Sequence, residues 1–203
     1  GFLAKLAEHL AGEQASQLQE LDLLRKNVDH IKEIVAMQQA YAKVSGLVEP
    51  GALASLVDDA LNMNTAGLEG ANTDIVRDYD EVPLVAVDRH KVMQILVNLI
   101  RNAKHALQDG KPACPRLTLR IARQGSDRVK IEVSDNGIGI PEESLTRVFQ
   151  HGFTTKPHGH GFGLHSGANA AKEMGGTLSM HSAGLQQGAT FTLELPVSVA
   201  TPA

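Results

Sequence analysis

Apolar and small residues recur at alternating intervals of three and four from Leu21 to Ser45: Leu21, Leu24, Val28, Ile31 and Val35, then Gln38, Ala42 and Ser45. Sustained over about three and a half heptads, this seam predicts one long amphipathic helix that offers a narrow stripe to other helices. Arg25, Lys26, Asp29, Lys32 and Glu33 lie off the stripe. A helix packed only on its own domain would show the same stripe. Leu3, Leu6 and Leu10 mark a shorter helical piece ahead of it, interrupted at Gly12. Gly46 ends the long helix and Glu49-Pro50-Gly51 reads as a linker, so the pattern divides the chain into a helical segment, 1–48, and a domain, 49–203.

Beyond that division, Leu53, Leu56, Val57, Ala60, Leu61 and Leu68 share one side of a predicted helix. Thr73–Tyr79 and Leu84–Val87 read as extended. Asp88 is a good N-cap for a helix over His90–Leu107, ended by Asp109-Gly110. Leu117, Leu119 and Ile121 alternate with polar residues, as do Val129, Ile131 and Val133, and Gln124-Gly125-Ser126-Asp127 joins the two runs into a β-hairpin. A helix after Gly163 leads to a strand over Leu178–His181, and a last strand spans Thr190–Leu195. Hairpins with helices between them predict an α/β (α+β) sandwich with a mixed, mostly antiparallel sheet rather than a run of βαβ units.

Composition narrows the function more than the fold. The 203 residues are 42% hydrophobic and 21% charged, as in an ordinary soluble domain. Aromatics are only 3%, with no Trp, and 19 basic against 23 acidic residues leave a net charge of −4. Neither stacking platforms nor a basic footprint is present, so no nucleic-acid partner is expected. A single cysteine, Cys114, cannot form an intrachain disulfide, which fits a reducing compartment. No apolar run approaches the ~18 residues that cross a bilayer, and no signal-peptide pattern occurs. The first residue is Gly1 rather than Met. From this we expect a cut or processed piece of a longer protein that makes no membrane contact within these residues.

Four clusters carry candidate chemistry, and their order along the chain matters most. Asn98 and Asn102, four residues apart in an otherwise apolar helix, share a face, where two amides could equally be tying the helix to neighbouring backbone. Asp135-Asn136-Gly137-Ile138-Gly139-Ile140-Pro141 follows a strand; a carboxylate leaves the sheet there, and the glycines permit close backbone approach to a ligand, although Asp-Asn-Gly is also a common turn. Phe149-Gln150-His151-Gly152-Phe153-Thr154-Thr155-Lys156 could be no more than a hydrophobic anchor and a solvated loop. Gly159-His160-Gly161-Phe162-Gly163-Leu164 runs into a helix, whose free N–H groups and dipole suit phosphate oxygens. It is neither a Rossmann fingerprint, lacking a strand directly before it, nor a Walker A loop, lacking GK[ST].

In this order the clusters resemble the asparagine box, first glycine box, Phe box and second glycine box of the Bergerat-type ATP-binding fold. Sensor histidine kinases, DNA gyrase B, MutL-type repair proteins and the ATPase chaperones share that fold, and the resemblance covers residues 50–196. It implies a two-layer sandwich with helices on one face of the sheet, and ATP with Mg²⁺ as cofactors. It also implies that Asn102 holds Mg²⁺ through its carboxamide oxygen. Asp135 is expected to accept a hydrogen bond from the adenine amino group, and Thr190 to assist the same edge through water. The implied nucleotide contacts further include Asn98, His105, Gly137, Gly139, Ile140, Phe149, Thr155, Lys156, Gly159, His160, Gly161, Phe162, Gly163 and Leu164. Lys156 is the implied phosphate contact of a short Thr-Thr-Lys lid like that of nitrogen-regulator-type kinases, unless it is simply a solvated charge.

Position 98 separates the reactions within the resemblance. Gyrase-type and chaperone-type ATPases carry a water-activating glutamate four residues before the magnesium asparagine. Here that residue is Asn98, a poor base, which favours phosphoryl transfer to an outside acceptor over hydrolysis. The seam before the domain is similar to the second helix of a histidine kinase dimerisation bundle. The implied protein is a cytoplasmic two-component kinase region, with a response-regulator receiver domain as partner and a homodimer formed through the helical segment. Readings of other classes are an ATP-switched docking module, a related ATPase or a serine kinase. Two departures stand out. No His-Glu or His-Asp dipeptide is present, since Leu10 follows His9 and Ile31 follows His30, so the acceptor helix is expected to be missing. His105 also occupies a position where many members have Lys. His151, His158, His160 and His165 crowd the lid without a recognisable ligand spacing, so no transition metal is expected.

Overall fold

The computed structural model describes residues 48–64, 72–155 and 161–197, together with Glu13, Gln14, Gln17, Glu20, Leu21 and Leu24. The chain divides into two units, Gly1–Ser45 and Gly46–Ala203. In the first, the described positions are helical, and Leu21 and Leu24 are 60% and 58% exposed. The seam positions from Val28 to Ser45, the piece around Leu3, Leu6 and Leu10, and the predicted helix beyond residue 64 lie outside the described residues.

The second unit opens with strand β1 (Val48–Gly51), which pairs antiparallel with β3 (Val85–Asp88). Glu49-Pro50-Gly51 is therefore not a linker. Pro50 can sit in this strand because a two-stranded sheet is all edge, where a missing ladder donor is tolerated. Helix α1 (Leu53–Asn62) buries Leu53, Leu56, Val57, Ala60 and Leu61, the stripe expected from its periodicity. Strand β2 (Asp74–Tyr79) is tied to α1 through Asp58, which accepts from Tyr79 Oη at 3.2 Å and Arg77 Nε at 3.1 Å.

Helix α2 (Arg89–Gly110) is the centre of the domain. Asp88 caps it by accepting from the backbone N–H groups of His90 at 3.0 Å and Lys91 at 3.2 Å. Lys111, at φ 45°, closes its other end by donating to the Leu107 carbonyl at 2.9 Å. Gly110 thus belongs to the helix, and the left-handed residue is the lysine after it. The hairpin β4 (Arg116–Gln124) and β5 (Arg128–Asp135) follows, then a single helical turn, α3 (Glu142–Leu145), that the periodicity does not signal. Helix α4 (Gly163–Glu173) leads to β6 (Thr177–His181) and β7 (Ala189–Pro196).

Five strands form one sheet in the order β2-β4-β5-β7-β6. Only β2 and β4 run parallel, and the path between them passes through α2, as a parallel connection requires. Leu117, Leu119, Ile121, Val129, Ile131, Val133, Phe191, Leu193 and Leu195 are buried on one face. Against that face α2 packs on β4 and β5, α4 packs on β6 and β7, and both α1 and α4 adjoin α2. The opposite face is polar, and there Lys130 pairs with Glu132 at 2.9 Å. Lys91 on α2 bridges to Glu173 on α4 at 2.8 Å. The architecture is the two-layer α/β sandwich with a mixed sheet and helices on one face.

Replacing Asp88 by Ala removes both cap acceptors from the helix that carries the asparagines. The substitution should lower the unfolding free energy by about 1 kcal/mol in a urea titration. An unchanged midpoint would mean the cap bonds contribute nothing to the fold.

Candidate nucleotide-binding site

Asp135 ends β5 on the helix-covered side of the sheet, where its register partner is Ala189 of β7. Burial pushes its carboxyl up from 3.8 to about 6, while hydrogen bonds from the backbone N–H groups of Gly137 and Ala189 pull it the other way. The bond from Gly137 N is 2.9 Å long. Among the described residues no charged side chain contributes to the shift, so the carboxylate sits among backbone donors without a cation.

The loop after Asp135 lies directly on α2. A Cβ on Gly137 would collide with the backbone of Ala106, and one on Gly110 would collide with Gly137 and Ile138. The Ile138 N–H donates to the Ala106 carbonyl at 2.9 Å. Gly139, at φ 71°, is pressed against the carbonyls of Gly184 and Gly188. Asn136 turns outward and holds the start of β4, accepting from Arg116 N at 2.8 Å and donating to the Cys114 carbonyl at 2.8 Å.

Two turns back along α2, Asn98 meets the start of α4. Its Oδ1 accepts from Arg101 Nη2 at 3.2 Å, and its carboxamide lies so close to Gly163 that no Cβ would fit there. Asn98, Asn102 and Ala106 follow one another at intervals of four, on one face of the helix. That face therefore runs about 12 Å from the N-terminus of α4 to the Asp135 loop, with half-buried Asn102 midway. His105, also half-buried, lies one residue before Ala106. The asparagines, the first glycine box and Gly163 of the second meet on this single helix face.

The lid's flanks are fastened together at their root. The Gly152 N–H donates to the Gly161 carbonyl at 3.2 Å, and Gly161, at φ 68°, has no room for a Cβ against Gly152 and Phe153. The Phe149 carbonyl bonds His165 Nδ1 at 3.1 Å, and His165 Nε2 bonds Asn169 at 3.2 Å. The His151 ring lies 4.8 Å from that of Phe162 and 5.2 Å from that of His165. Arg147 stacks over Phe153 at 4.7 Å. Ile140 and Leu164 are half-buried and Thr155 is exposed. Lys156, Gly159 and His160 lie outside the described residues. Among the described residues no three His, Cys, Asp or Glu side chains are grouped to hold a metal ion.

Thr190 is not where the resemblance implies. It is opposite Ser134, one position out of phase with Asp135, and strand alternation turns it to the other face of the sheet. There the two hydroxyls share a hydrogen bond of 2.8 Å. The residue beside Asp135 is Ala189, which offers its backbone N–H and no hydroxyl. The pairing Asp135↔Ala189 depends on the register of β5 with β7, which no local motif shows. Ser182 is buried here as well, and its Oγ accepts from Ile140 N at 3.0 Å and donates to the Gly188 carbonyl at 2.6 Å. A lone serine after a short strand carries no periodic or motif signal.

Comparison with known proteins agrees with this geometry. Residues 87–199 match the family described as histidine kinase-, DNA gyrase B-, and HSP90-like ATPase. The chain is 34% identical over 166 residues to the C4-dicarboxylate transport sensor protein DctB of Pseudomonas aeruginosa, covering 80% of this chain and 27% of that protein. It is 30% identical over 191 residues to the sensor histidine kinase ZraS of Escherichia coli K12, covering 93% of this chain and 39% of that protein. It therefore spans well under half the length of either relative. The catalytic domain of histidine kinase ThkA superposes with a TM-score of 0.62 at 26% identity, over 71% of this chain and 94% of that one. The match over residues 87–199 spans the asparagine helix, the loop after Asp135 and the start of α4, and it places the chain in the histidine kinase-, DNA gyrase B- and HSP90-like ATPase family.

Proposed function

We propose that residues 49–203 bind ATP with Mg²⁺ along the Asn98, Asn102 and Ala106 face of α2 and deliver the γ-phosphoryl group to a histidine on a helix outside the pocket. From that histidine an aspartate on a response-regulator receiver domain would take it. One observation carries the reading: Asn98, Asn102 and Ala106 share one face of α2 whose ends, about 12 Å apart along the helix, meet the start of α4 and the loop that follows Asp135.

At the base end, Asp135 accepts from the exocyclic amino group of adenine, a pairing that guanine, with a carbonyl there, would not make. At the other end, the N–H groups opening α4 meet phosphate oxygens, and Lys156 would supply a cation to the same phosphates. Asn102, between the two, suits Mg²⁺ because that cation keeps several waters and needs only one or two protein oxygens beside phosphate. When bound, the cation would neutralise charge on the transferring group. Asn98, whose oxygen accepts from Arg101, is a carboxamide and too poor a base to activate water. With no water-activating carboxylate four residues before Asn102, positioning and charge neutralisation favour transfer over hydrolysis. The exposed Leu21 and Leu24 support homodimerisation through the helical segment. Among the described residues no helix is long and apolar enough to cross a membrane, and use of ATP fits a cytoplasmic setting.

Asp135→Asn should weaken binding of a non-hydrolysable ATP analogue by at least tenfold in calorimetric titration at pH 7.5. Wild-type binding should itself fade as pH falls through about 6, where the carboxylate gains a proton. The same variant should melt at a higher temperature at pH 7.5. The folded-state pKa lies above the ordinary value, so stability from this group is full at low pH and lost as pH rises through about 6. At neutral pH the buried charge costs on the order of 2 to 3 kcal/mol, which asparagine would relieve. Unchanged affinity would remove Asp135 from the site.

Two further outcomes test the reaction. Asn98→Glu should raise ATP hydrolysis above a very low starting rate; enzyme-like hydrolysis by the unmodified protein would contradict the transfer reading. The chain incubated with γ-labelled ATP should bind nucleotide and retain no acid-labile phosphate. Stable phosphohistidine on His9 or His30 would overturn the reading that neither histidine is the acceptor.

A further inference from the structure

Ser182 stands between the two backbone segments that border Asp135. One is residues 136–141, which supplies the Gly137 N–H to the carboxylate; the other is residues 182–188, which leads directly into the Ala189 N–H. On one side the segments are laced by backbone bonds, Gln186 N to the Ile138 carbonyl at 2.6 Å and Gly188 N to the Gly137 carbonyl at 3.2 Å. On the other side the link is the Ser182 hydroxyl, which accepts from Ile140 N at 3.0 Å and donates to the Gly188 carbonyl at 2.6 Å. The Gly184 N–H and carbonyl stand a further 3.4 Å from the same oxygen.

We infer that Ser182 is a positioning residue for the base end of the site, holding the two segments in register so that Asp135 faces the amino group of an adenine ring. The inference deepens the nucleotide reading and rests on it. A hydroxyl suits the place because one atom must both accept from an N–H and donate to a carbonyl. Removing it leaves Ile140 N–H and Gly188 C=O without that partner next to a buried side chain, which pushes the segments apart. The movement reaches Asp135 directly. Gly188, at φ 68°, lies against the Asp135 carbonyl and the Asn136 Cα so tightly that a Cβ would not fit. Ala189, the next residue, supplies one of the two N–H groups that hold the carboxylate in its ionised form.

The test compares wild type, Ser182→Ala and Ile121→Val, a control in the β4 core remote from both segments. Affinity for a non-hydrolysable ATP analogue is measured by calorimetry from pH 5 to pH 8, with melting temperatures alongside. Ser182→Ala should weaken binding at pH 7.5 by roughly tenfold. It should also move the pH midpoint of binding upward from about 6, because Asp135 loses donors that hold its carboxyl down. The control should lower the melting temperature while leaving affinity and midpoint in place. Should the alanine protein not fold, Ser182→Cys keeps the shape with a much weaker donor, and the same two readouts decide. A folded Ser182→Ala or Ser182→Cys protein with wild-type affinity and midpoint overturns the inference, as does an equal change in Ile121→Val. Failure of the wild-type protein to bind the analogue overturns the nucleotide reading itself, and this inference with it.

Discussion

Two backbones touch where β5 leaves the sheet, and most of the site's geometry depends on that contact. Gly110 and Gly137 leave no side chain between the end of α2 and the loop after Asp135, so the loop lies on the helix and is fastened there through Ile138 and Ala106. Any Cβ at either position would lift the loop away from the asparagine face. The strand end and the helix would then lose their fixed spacing, and with it the distance between the carboxylate and Asn102. At the other end of the same face Gly163 plays the equivalent part, bringing the first turn of α4 against Asn98. Helix α2 thus acts as a ruler, with its apolar remainder sunk in the core and one strip left for polar work.

The electrostatics follow from this placement. Asp135 is buried beside two backbone donors, and burial outweighs them, so its carboxyl rises towards neutrality. A buried carboxylate without a cation is costly for a fold unless something else uses it. Under the proposed reading an adenine amino group is the missing donor. The same feature that weakens the empty domain would then favour the occupied one, and ligand and proton would compete for one oxygen pair.

What could be read from the sequence depended on whether the signal was local. The β4–β5 hairpin announced itself by alternation and a Gly-containing turn, and α2 by an aspartate cap before a long apolar run. The order of the four motifs pointed to the family that residues 87–199 then matched. Non-local pairings were invisible. Glu49-Pro50-Gly51 has the composition of a linker and becomes a strand because β3, more than thirty residues on, lies beside it. Gly110 looked like a helix terminator, whereas its lack of a side chain serves contact with Ile138 and Lys111 takes the left-handed turn. Thr190 and Ala189 exchanged roles because strand phase is set by pairing with β5, and one residue of phase exchanges the two faces. Ser182 has no pattern at all; its importance is a matter of which two loops happen to flank it.

Arg101 limits the part that Asn98 can play. An asparagine carboxamide can present either an oxygen or an amide group, and the guanidinium bond to Asn98 Oδ1 sets which end is engaged within the protein. The remaining Nδ2 is a donor, suited to an oxygen anion and useless for abstracting a proton from water. Beside the start of α4 it adds one more donor to a set of backbone N–H groups that already favour negative charge. Under the proposed reading, the donors at this phosphate end would steady a phosphoryl group as it leaves. Asn98 itself cannot generate the nucleophile, so on that reading the nucleophile arrives from elsewhere.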